Sequence, residues 1–190
     1  MVTAMREPKG FTLVELIIVL AIASILLTVG VPSFSNVINN NRITAEVNRF
    51  TASVQLARSE AVKQSRIITI CRSGDGFNCG GGGAADTIYE KGWLIYMDPT
   101  ANDNFNSGTD TLIQIGDAAA EGVTIRSDSD GNNWLSFRPN GLLSESGFAE
   151  YAFCNNGVST AAVPGRLVRI DLTGRPGVTQ LAPGAPCTPA

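Results

Sequence analysis

The stretch KGFTLVELIIVLAIASILLTVGVPSF, residues 9–34, decides the fold of this chain. From Phe11 to Val31 it runs for 21 residues with a single charged side chain, Glu15. A helix needs about 20 apolar residues to cross a bilayer, so residues 11–31 predict a transmembrane helix. A secretory signal peptide is the competing interpretation, but its apolar stretch is only about 7–15 residues long.

The residues on either side of the apolar run predict its orientation and its end. Arg6 and Lys9 precede the run, so we expect the N-terminus in the cytoplasm and the rest of the chain across the membrane. Gly30 and Pro32 close the run. Proline lacks an amide hydrogen and clashes with the carbonyl four residues back, at Thr28, so we expect a helix break here, as a kink or as local melting. An ordinary break at the membrane exit is the simpler alternative.

The carboxylate of Glu15 is out of place in an apolar segment. Near the bilayer centre an ionised acid costs at least roughly 2.5 kcal/mol on insertion scales, so we expect Glu15 to pair or to be protonated. A solvated glutamate near the surface, in a plain membrane anchor, is the alternative. The pairing hypothesis requires a positive group close to the start of the helix.

The segment KGFTLVEL, residues 9–16, closely resembles the class III leader of type IV prepilins and pseudopilins. The resemblance implies that residues 1–10 are a leader peptide and that a prepilin peptidase cuts between Gly10 and Phe11. It also implies that the new amino group of Phe11 is N-methylated. In such families Glu15 of one subunit would neutralise that amine on its neighbour, which fixes the register of assembly because a buried charge without its partner is unfavourable.

Polarity returns after residue 32, but helical spacing continues. One apolar stripe repeats at intervals of three and four residues, which predicts an amphipathic helix over residues 32–66 that packs on a domain. The stripe consists of Ile43, Val47, Phe50, Val54, Ala57 and Ala61. A coiled coil is the alternative, although so short a stripe with alanines suits a helix against a sheet.

Residues 67–190 predict a β-rich domain without a second membrane span. Short segments rich in β-branched and aromatic residues alternate with Gly, Asn, Asp and Pro. The predicted strands are Ile67–Cys71, Gly92–Asp98, Thr111–Ile115, Val123–Arg126, Trp134–Arg138, Phe148–Cys154 and Leu167–Leu172. In the last of these Val168, Ile170 and Leu172 would form one dry face. The fold class is therefore α+β, with one long N-terminal helix packed on an antiparallel β-domain.

Four cysteines lie in this domain: Cys71, Cys79, Cys154 and Cys187. They allow three disulfide connectivities. We favour Cys71–Cys79, which closes a short loop, and Cys154–Cys187, which ties down the C-terminal tail. A four-thiolate zinc site is the rival, but the spacings lack the paired C-x₂-C knuckles that structural zinc prefers.

Composition argues against an enzyme. The chain has no histidine, which removes the commonest general base and metal ligand. We find no catalytic constellation and predict no cofactor and no metal. Two Asp-rich stretches, Asp98–Asp110 and Asp128–Asn132, lack the full ligand spacing of a calcium loop. A periplasmic enzyme held by an anchor is therefore the least favoured function.

Four segments of the domain are similar to the GspH/FimT family of minor pilins and pseudopilins, which includes FimU. They are CRSGDGFNC (71–79), GWLIYMD (92–98), LSFRPNG (135–141) and RIDLTGR (169–175). The resemblance implies a helix against two β-sheets in a low-abundance subunit that helps initiate or cap a type IV pilus or a type II secretion pseudopilus. Implied partners are other major and minor pilins or pseudopilins, the prepilin peptidase and the inner-membrane assembly platform. The implied location is a single pass through the inner membrane with the domain in the periplasm.

A second function follows from the same resemblance. Some FimT proteins bind DNA through arginines around a Gly-Arg-x-Arg motif, and the matching stretch here is GRPG, residues 174–177, which lacks the second arginine. The alternative function is a DNA receptor at the pilus tip that uses Arg166, Arg169 and Arg175, with salt-dependent binding. Solvated arginines on an acidic domain are the simpler interpretation, since the net charge of the chain is −3.

Overall fold

The computed structural model describes residues 10–80, 89–127, 134–144 and 147–189, without the side chains of residues 29–32. The described part contains one helix, α1 (Leu13–Gln64), and a 3-10 turn at Tyr89–Lys91. Its strands are β1 (Ile68–Arg72), β2 (Trp93–Met97), β3 (Thr111–Gly116), β4 (Val123–Ser127), β5 (Trp134–Phe137), β6 (Ala149–Asn155), β7 (Arg166–Ile170) and β8 (Pro176–Gln180). The chain divides into two compact units, Met1–Val37 and Ile38–Ala190.

Helix α1 is continuous through residues 30–32, where the sequence predicts a break at Gly30 and Pro32. Local melting is therefore absent from the described helix, and a kink remains a prediction. A single proline removes one hydrogen bond from the ladder, and the many turns on either side of it keep the backbone helical because helix formation is cooperative.

The second unit contains two four-stranded sheets, and every strand pair in them is antiparallel. The first sheet has the order β3-β2-β1-β5, and the second has the order β4-β6-β7-β8. The fold class predicted from the sequence is thus confirmed. The predicted strand positions agree with seven of the eight strands in the described residues to within one or two residues at each end.

The core lies where the second part of α1 meets the inner faces of both sheets. All six residues of the predicted apolar stripe are buried, from Ile43 to Ala61. Phe50 is the centre of an aromatic cluster, with its ring centroid 5.4 Å from that of Trp93 and 4.6 Å from that of Tyr151. Edge-to-face and tilted contacts of this kind add specificity to the burial of apolar area.

Two features of the second sheet differ from the sequence prediction. β8 was not predicted, because Pro176 and Gly177 disfavour strands in general. Proline is tolerated here since it is the first residue of an edge strand. β7 ends at Ile170, so Val168 and Ile170 are buried whereas Leu172 is exposed. The buried face of this strand therefore lacks one of its three predicted residues.

Both favoured disulfides are present in the structure. Cys71 at the end of β1 bonds to Cys79, and Cys154 on β6 bonds to Cys187. The second bond holds the segment after β8 against the outer face of the second sheet, where Ala152 and Leu181 pack beside it. No free cysteine remains in the described residues, so the zinc alternative is wrong.

Candidate functional site

The N-terminal end of α1 is closed by a reciprocal pair of side-chain contacts. The Glu15 amide donates to the Thr12 hydroxyl at 3.2 Å, and the Thr12 amide donates to Glu15 Oε2 at 3.5 Å. This is a capping box, with Thr12 at the N-cap and Glu15 three residues later. Two of the amides that the first turn of a helix leaves unpaired are thereby satisfied.

The apolar surface that follows the cap is uncovered. An 18-residue window of α1 has a mean hydropathy of 2.7 and none of it is buried. By length and composition this helix can cross a membrane. Its large side chains from Leu13 to Leu27 are more than half exposed. A monomer in water does not tolerate an apolar surface of this size, so it must face lipid or other helices.

The junction before the helix is open. Phe11 is 84% exposed, and a Cβ built on Gly10 would meet no atom within 4 Å. The backbone between these residues is therefore free of steric cover in the described part of the chain. The rest of the predicted leader, residues 1–9, lies outside the described residues. Cleavage after Gly10 and methylation of Phe11 remain predictions.

The three candidate arginines do not form one cluster. Arg166 and Arg169 are three residues apart on β7, so their side chains point to opposite faces of the second sheet. Arg166 lies on the helix side, where its guanidinium donates to Asn40 Oδ1 at 3.3 Å and to the Pro164 carbonyl at 2.9 Å. It is thus engaged within the domain.

Arg169 lies on the outer face and is largely neutralised there. Its guanidinium is 3.4 Å from Glu150 Oε1 and stacks over the Phe148 ring, with the guanidinium carbon 3.6 Å from the centroid. Glu150 is buried, and β6 places it directly across from Arg169 in the ladder. The pair therefore stabilises a buried carboxylate by a charge-assisted contact.

Arg175 comes closest to Arg169, because both line one groove on the outer face. Two acids, Glu150 and Asp171, line the same groove. The Arg175 amide donates to Asp171 Oδ1, and the Thr173 hydroxyl bonds to the same oxygen. The Thr173 hydroxyl, followed by the backbone amides, lowers the pKa of Asp171, so this acid is ionised at neutral pH. A groove with equal numbers of acids and arginines has little attraction for a polyanion.

In the Asp-rich loop after β2, the carboxylates of Asp98 and Asp110 bind backbone amides of the loop itself, and that of Asp103 accepts from the Ser136 hydroxyl. Asp98 is buried and accepts bonds from the amides of Thr100 and Asp103, at 3.2 Å and 2.9 Å. Turn chemistry therefore accounts for this loop. Within the described residues no group of three or more acids or cysteines is placed to hold a metal ion. The other Asp-rich stretch, Asp128–Asn132, lies outside the described residues.

The sequence analysis did not identify two residues of the candidate site, Thr12 of the helix cap and Glu150 of the ion pair with Arg169. Thr12 carries a readable signal, because Thr-x-x-Glu before an apolar run is the pattern of a capping box. Glu150 carries none, because its pairing with Arg169 depends on the register of β6 against β7. Only the assembled sheet brings these two residues together.

Two family models match the chain. Residues 46–174 match the model described as Type II transport protein GspH, which is more than half of the sequence. The chain belongs to the GspH family. Residues 5–31 of this GspH-family chain also match the prokaryotic N-terminal methylation motif, which spans the predicted leader junction.

Solved structures extend the comparison. The GspH-family chain is similar to the type IV minor pilin FimU of Pseudomonas aeruginosa, with 25% identity and a TM-score of 0.54 over 75% of this chain and 90% of that one. The minor pseudopilin EpsH of Vibrio cholerae matches with 10% identity and a TM-score of 0.43, over 76% of this chain and 99% of that one. No curated protein sequence matches.

Membership of the GspH family defines the class of protein. The chain is of the minor pilin and pseudopilin class found in type IV pili or type II secretion systems. Proteins of this class are structural and assemble with other pilins or pseudopilins. The methylation motif and the uncovered apolar helix fit a membrane-anchored pilin.

Proposed function

We propose that this chain is a minor pilin or pseudopilin that helps initiate or cap assembly of a type IV pilus or a type II secretion pseudopilus. Before assembly it passes once through the inner membrane by residues 11–31, with its domain in the periplasm. A prepilin peptidase cuts after Gly10, Phe11 becomes the methylated N-terminus, and Glu15 pairs with the new amine of a neighbour. The assembly platform and other pilins or pseudopilins are its partners.

One observation carries this proposal: an uncovered apolar helix of membrane length begins at Leu13, with Glu15 in its first turn, within a matched methylation motif. The Glu15 side chain lies at the capped end of that helix, four residues after Phe11. In lipid an unpaired carboxylate costs free energy, and a free amine on a neighbouring subunit would remove that cost. A neighbour that places no amine near Glu15 would leave the charge unpaired, so its packing is unfavourable.

A DNA receptor is not favoured. Arg166 contacts Asn40 and the backbone, Arg169 contacts Glu150 and Phe148, and Arg175 shares its groove with Asp171. Arg166 and Arg169 therefore have few positions left for phosphate contacts, which supply most of the affinity for nucleic acid, and Arg175 alone does not make a DNA-binding surface.

The test separates the charge of Glu15 from its capping role. Glu15→Gln keeps a capping side chain and removes the charge, whereas Thr12→Ala removes the capping hydroxyl and keeps the charge. The variants are expressed in a strain that lacks the wild-type chain, and each is quantified by immunoblot in sheared filaments and in membranes. We expect Glu15→Gln to lose incorporation as fully as Glu15→Ala, with membrane levels unchanged.

The cap control should behave differently. Loss of an N-cap hydroxyl costs about 1 kcal/mol of helix stability, which a long helix in lipid tolerates, so Thr12→Ala should still be incorporated. Incorporation of Glu15→Gln at the wild-type level would refute the charge role. Intact mass of the wild-type chain should give a methylated N-terminus at Phe11, and a mature chain that begins after residue 31 would refute the whole proposal.

A further inference from the structure

The end of α1 and the turn before β8 enclose a groove that the proposed function does not use. One wall consists of α1 side chains between Gln55 and Lys63, and the other consists of residues 174–176. The groove has a volume of about 530 Å³ and is open to solvent. We call it the helix-end groove.

Backbone contacts fix the floor of the helix-end groove. Arg58 Nε donates to the Gly141 carbonyl at 3.0 Å, which holds its guanidinium in place. Gly174 has a φ of +72°, and a Cβ built there would lie 2.6 Å from the Gly141 carbonyl oxygen and 3.0 Å from Arg58 Cδ. Only glycine fits this close approach, so the turn and the helix hold a fixed distance.

The helix-end groove is cationic. Arg58, Lys63 and Arg175 line it, and among the described residues that form its walls there is no acid. Two acids lie just outside it: Asp171, whose Oδ1 accepts from the Arg175 amide, and Glu60 on α1. Glu60 binds Lys63 Nζ at 3.0 Å and Gln64 at 2.6 Å, and these bonds lower its pKa. The Lys63 side chain is 73% exposed, whereas that of Glu60 is 15% exposed, so water screens the pair at the Lys63 end and Lys63 can bind another carboxylate instead.

Apolar surface lies between the cations. Val62 is 53% exposed, and Pro176 forms part of the opposite wall. A ligand that satisfies the groove must therefore place carboxylates on the cations and apolar groups on Val62. A peptide that alternates acidic and apolar residues meets both requirements.

Nucleic acid fits this groove less well. No aromatic residue lines its walls in the described structure, so bases have no surface on which to stack. The net charge of −3 repels a long polyanion more strongly than it repels a short acidic segment.

We propose that the helix-end groove docks an acidic, partly apolar segment of a neighbouring pilin subunit. The proposal rests on the assembly function proposed above and gives the domain its own contact surface, separate from Glu15. Lys63 and Arg175 bind carboxylates of the segment from opposite walls, and its apolar side chains cover Val62.

The test uses the full mature chain in detergent micelles and three fluorescein-labelled probes. The first is an eight-residue peptide that alternates glutamate with valine, the second replaces its glutamates by lysine, and the third is a single-stranded DNA of twelve nucleotides. Fluorescence anisotropy is measured at 50 mM NaCl for the wild-type chain and for the double variant Lys63→Gln, Arg175→Gln. Arg42→Gln is a control that removes one positive charge outside the groove, because Arg42 lies 16 residues before Arg58 on α1, about 24 Å away along the helix.

We expect the acidic peptide alone to bind, the double variant to bind it about tenfold more weakly, and Arg42→Gln to bind it like the wild type. Binding should weaken at 500 mM NaCl, since exposed charges are screened. Equal binding of the acidic and basic peptides, or an unchanged double variant, would overturn the proposal. If the wild-type chain binds the DNA more strongly than the acidic peptide, and the double variant does not bind the DNA, the proposal is also overturned and the groove is assigned to nucleic acid.

A second measurement needs no variant. A carbodiimide joins a bound carboxylate to the Lys63 amine, and peptide mapping of the wild-type chain should find that adduct in preference to one at Lys91. Its absence would contradict the proposed orientation. Glu15→Gln should bind the peptide normally, so a failure of the groove proposal is distinct from a failure of the assembly proposal.

Discussion

Gly116 lies directly across from Trp93 in the β2–β3 ladder, and the indole ring occupies the space where a side chain at position 116 would begin. A Cβ built on Gly116 would lie 2.3 Å from Trp93 Cε2. The same indole donates its Nε1 hydrogen to the Ser53 hydroxyl at 3.1 Å, and the Arg49 guanidinium lies over it. The ring is therefore held from three sides.

We expect Gly116→Ala to destabilise the domain by about 1–3 kcal/mol, because an added methyl group in a packed core forces the ring or the backbone to move. Chemical denaturation followed by tryptophan fluorescence measures this change. Gly147→Ala is the matched control, since a Cβ there meets no atom within 4 Å, and it should leave the free energy of unfolding within about 1 kcal/mol of wild type. A Gly116→Ala chain as stable as the control would contradict the packing described.

Phe50 is the second point at which a single change should be decisive. Its ring meets Tyr89, Trp93, Tyr151 and Phe153, and it is fully buried. Phe50→Ala should cost about 3–5 kcal/mol, because it removes a large buried side chain and leaves a cavity between helix and sheets. Val62→Ala, on the exposed side of the same helix, should change stability by less than about 0.7 kcal/mol. Similar effects of the two changes in thermal unfolding would show that Phe50 is not the centre of the core.

The two disulfides should contribute unequally. The bonded cysteines are 8 residues apart in Cys71–Cys79 and 33 residues apart in Cys154–Cys187. Each bond includes one fully buried cysteine, Cys71 in the first and Cys154 in the second. On the chain-entropy model the first contributes about 2.5 kcal/mol and the second about 4 kcal/mol. Replacing each pair by alanines in separate chains provides mutual controls. A larger loss of unfolding free energy for the Cys71–Cys79 pair would contradict the entropic account.

Asp103 should give the domain a distinctive pH dependence. Burial raises the pKa of Asp103, the Ser136 hydroxyl at 2.7 Å opposes the rise, and Asp98 adds to it. A raised pKa means that the folded state binds the proton more tightly, so this group stabilises the fold below its unfolded pKa and loses that contribution as pH rises through the folded value. Asp103 has a φ of +58°, which asparagine tolerates.

Asp103→Asn therefore isolates this effect. The free energy of unfolding of the wild type relative to the variant should fall as pH rises from about 4, and it should level off above the raised pKa. Urea titrations at half-unit intervals measure the difference. Asp171 and Glu60, whose pKa values are lowered, act in the opposite direction in both chains and cancel. A difference that grows with pH would show that the sign is wrong.

Local patterns predicted most of the fold. The stripe from Ile43 to Ala61 and the alternation in β7 are set by residue types a few positions apart, so periodicity identified them. β8 was not predicted because Pro176 and Gly177 are poor strand residues. They lie in the sheet only because β8 pairs with β7. The single long helix was predicted correctly, and the local melting expected at Pro32 is absent because the helical turns that flank it outweigh the local preference.

In the candidate site, too, features set by neighbouring residues in sequence were predicted, and features set by tertiary contacts were not. Glu15 and the Gly10–Phe11 junction are contiguous in sequence, so a motif found them, and Thr12 was within reach of the same method. The alternative function as a DNA receptor required Arg166, Arg169 and Arg175 to cluster, but strand alternation separates Arg166 from Arg169. The helix-end groove joins α1 to a turn more than 100 residues later, and sequence spacing carries no information about such a meeting.

The positions of the disulfides impose an order of events on biosynthesis. Cys71 and Cys79 are only eight residues apart and can be oxidised as soon as Cys79 has emerged, whereas Cys154 must wait until Cys187, beyond β8, has been delivered. In the interval Cys154 is a single unpaired thiol. A nascent chain stalled after β8 would therefore carry one alkylation-sensitive sulfur, and a thiol-reactive tag would mark how much of the chain has been delivered.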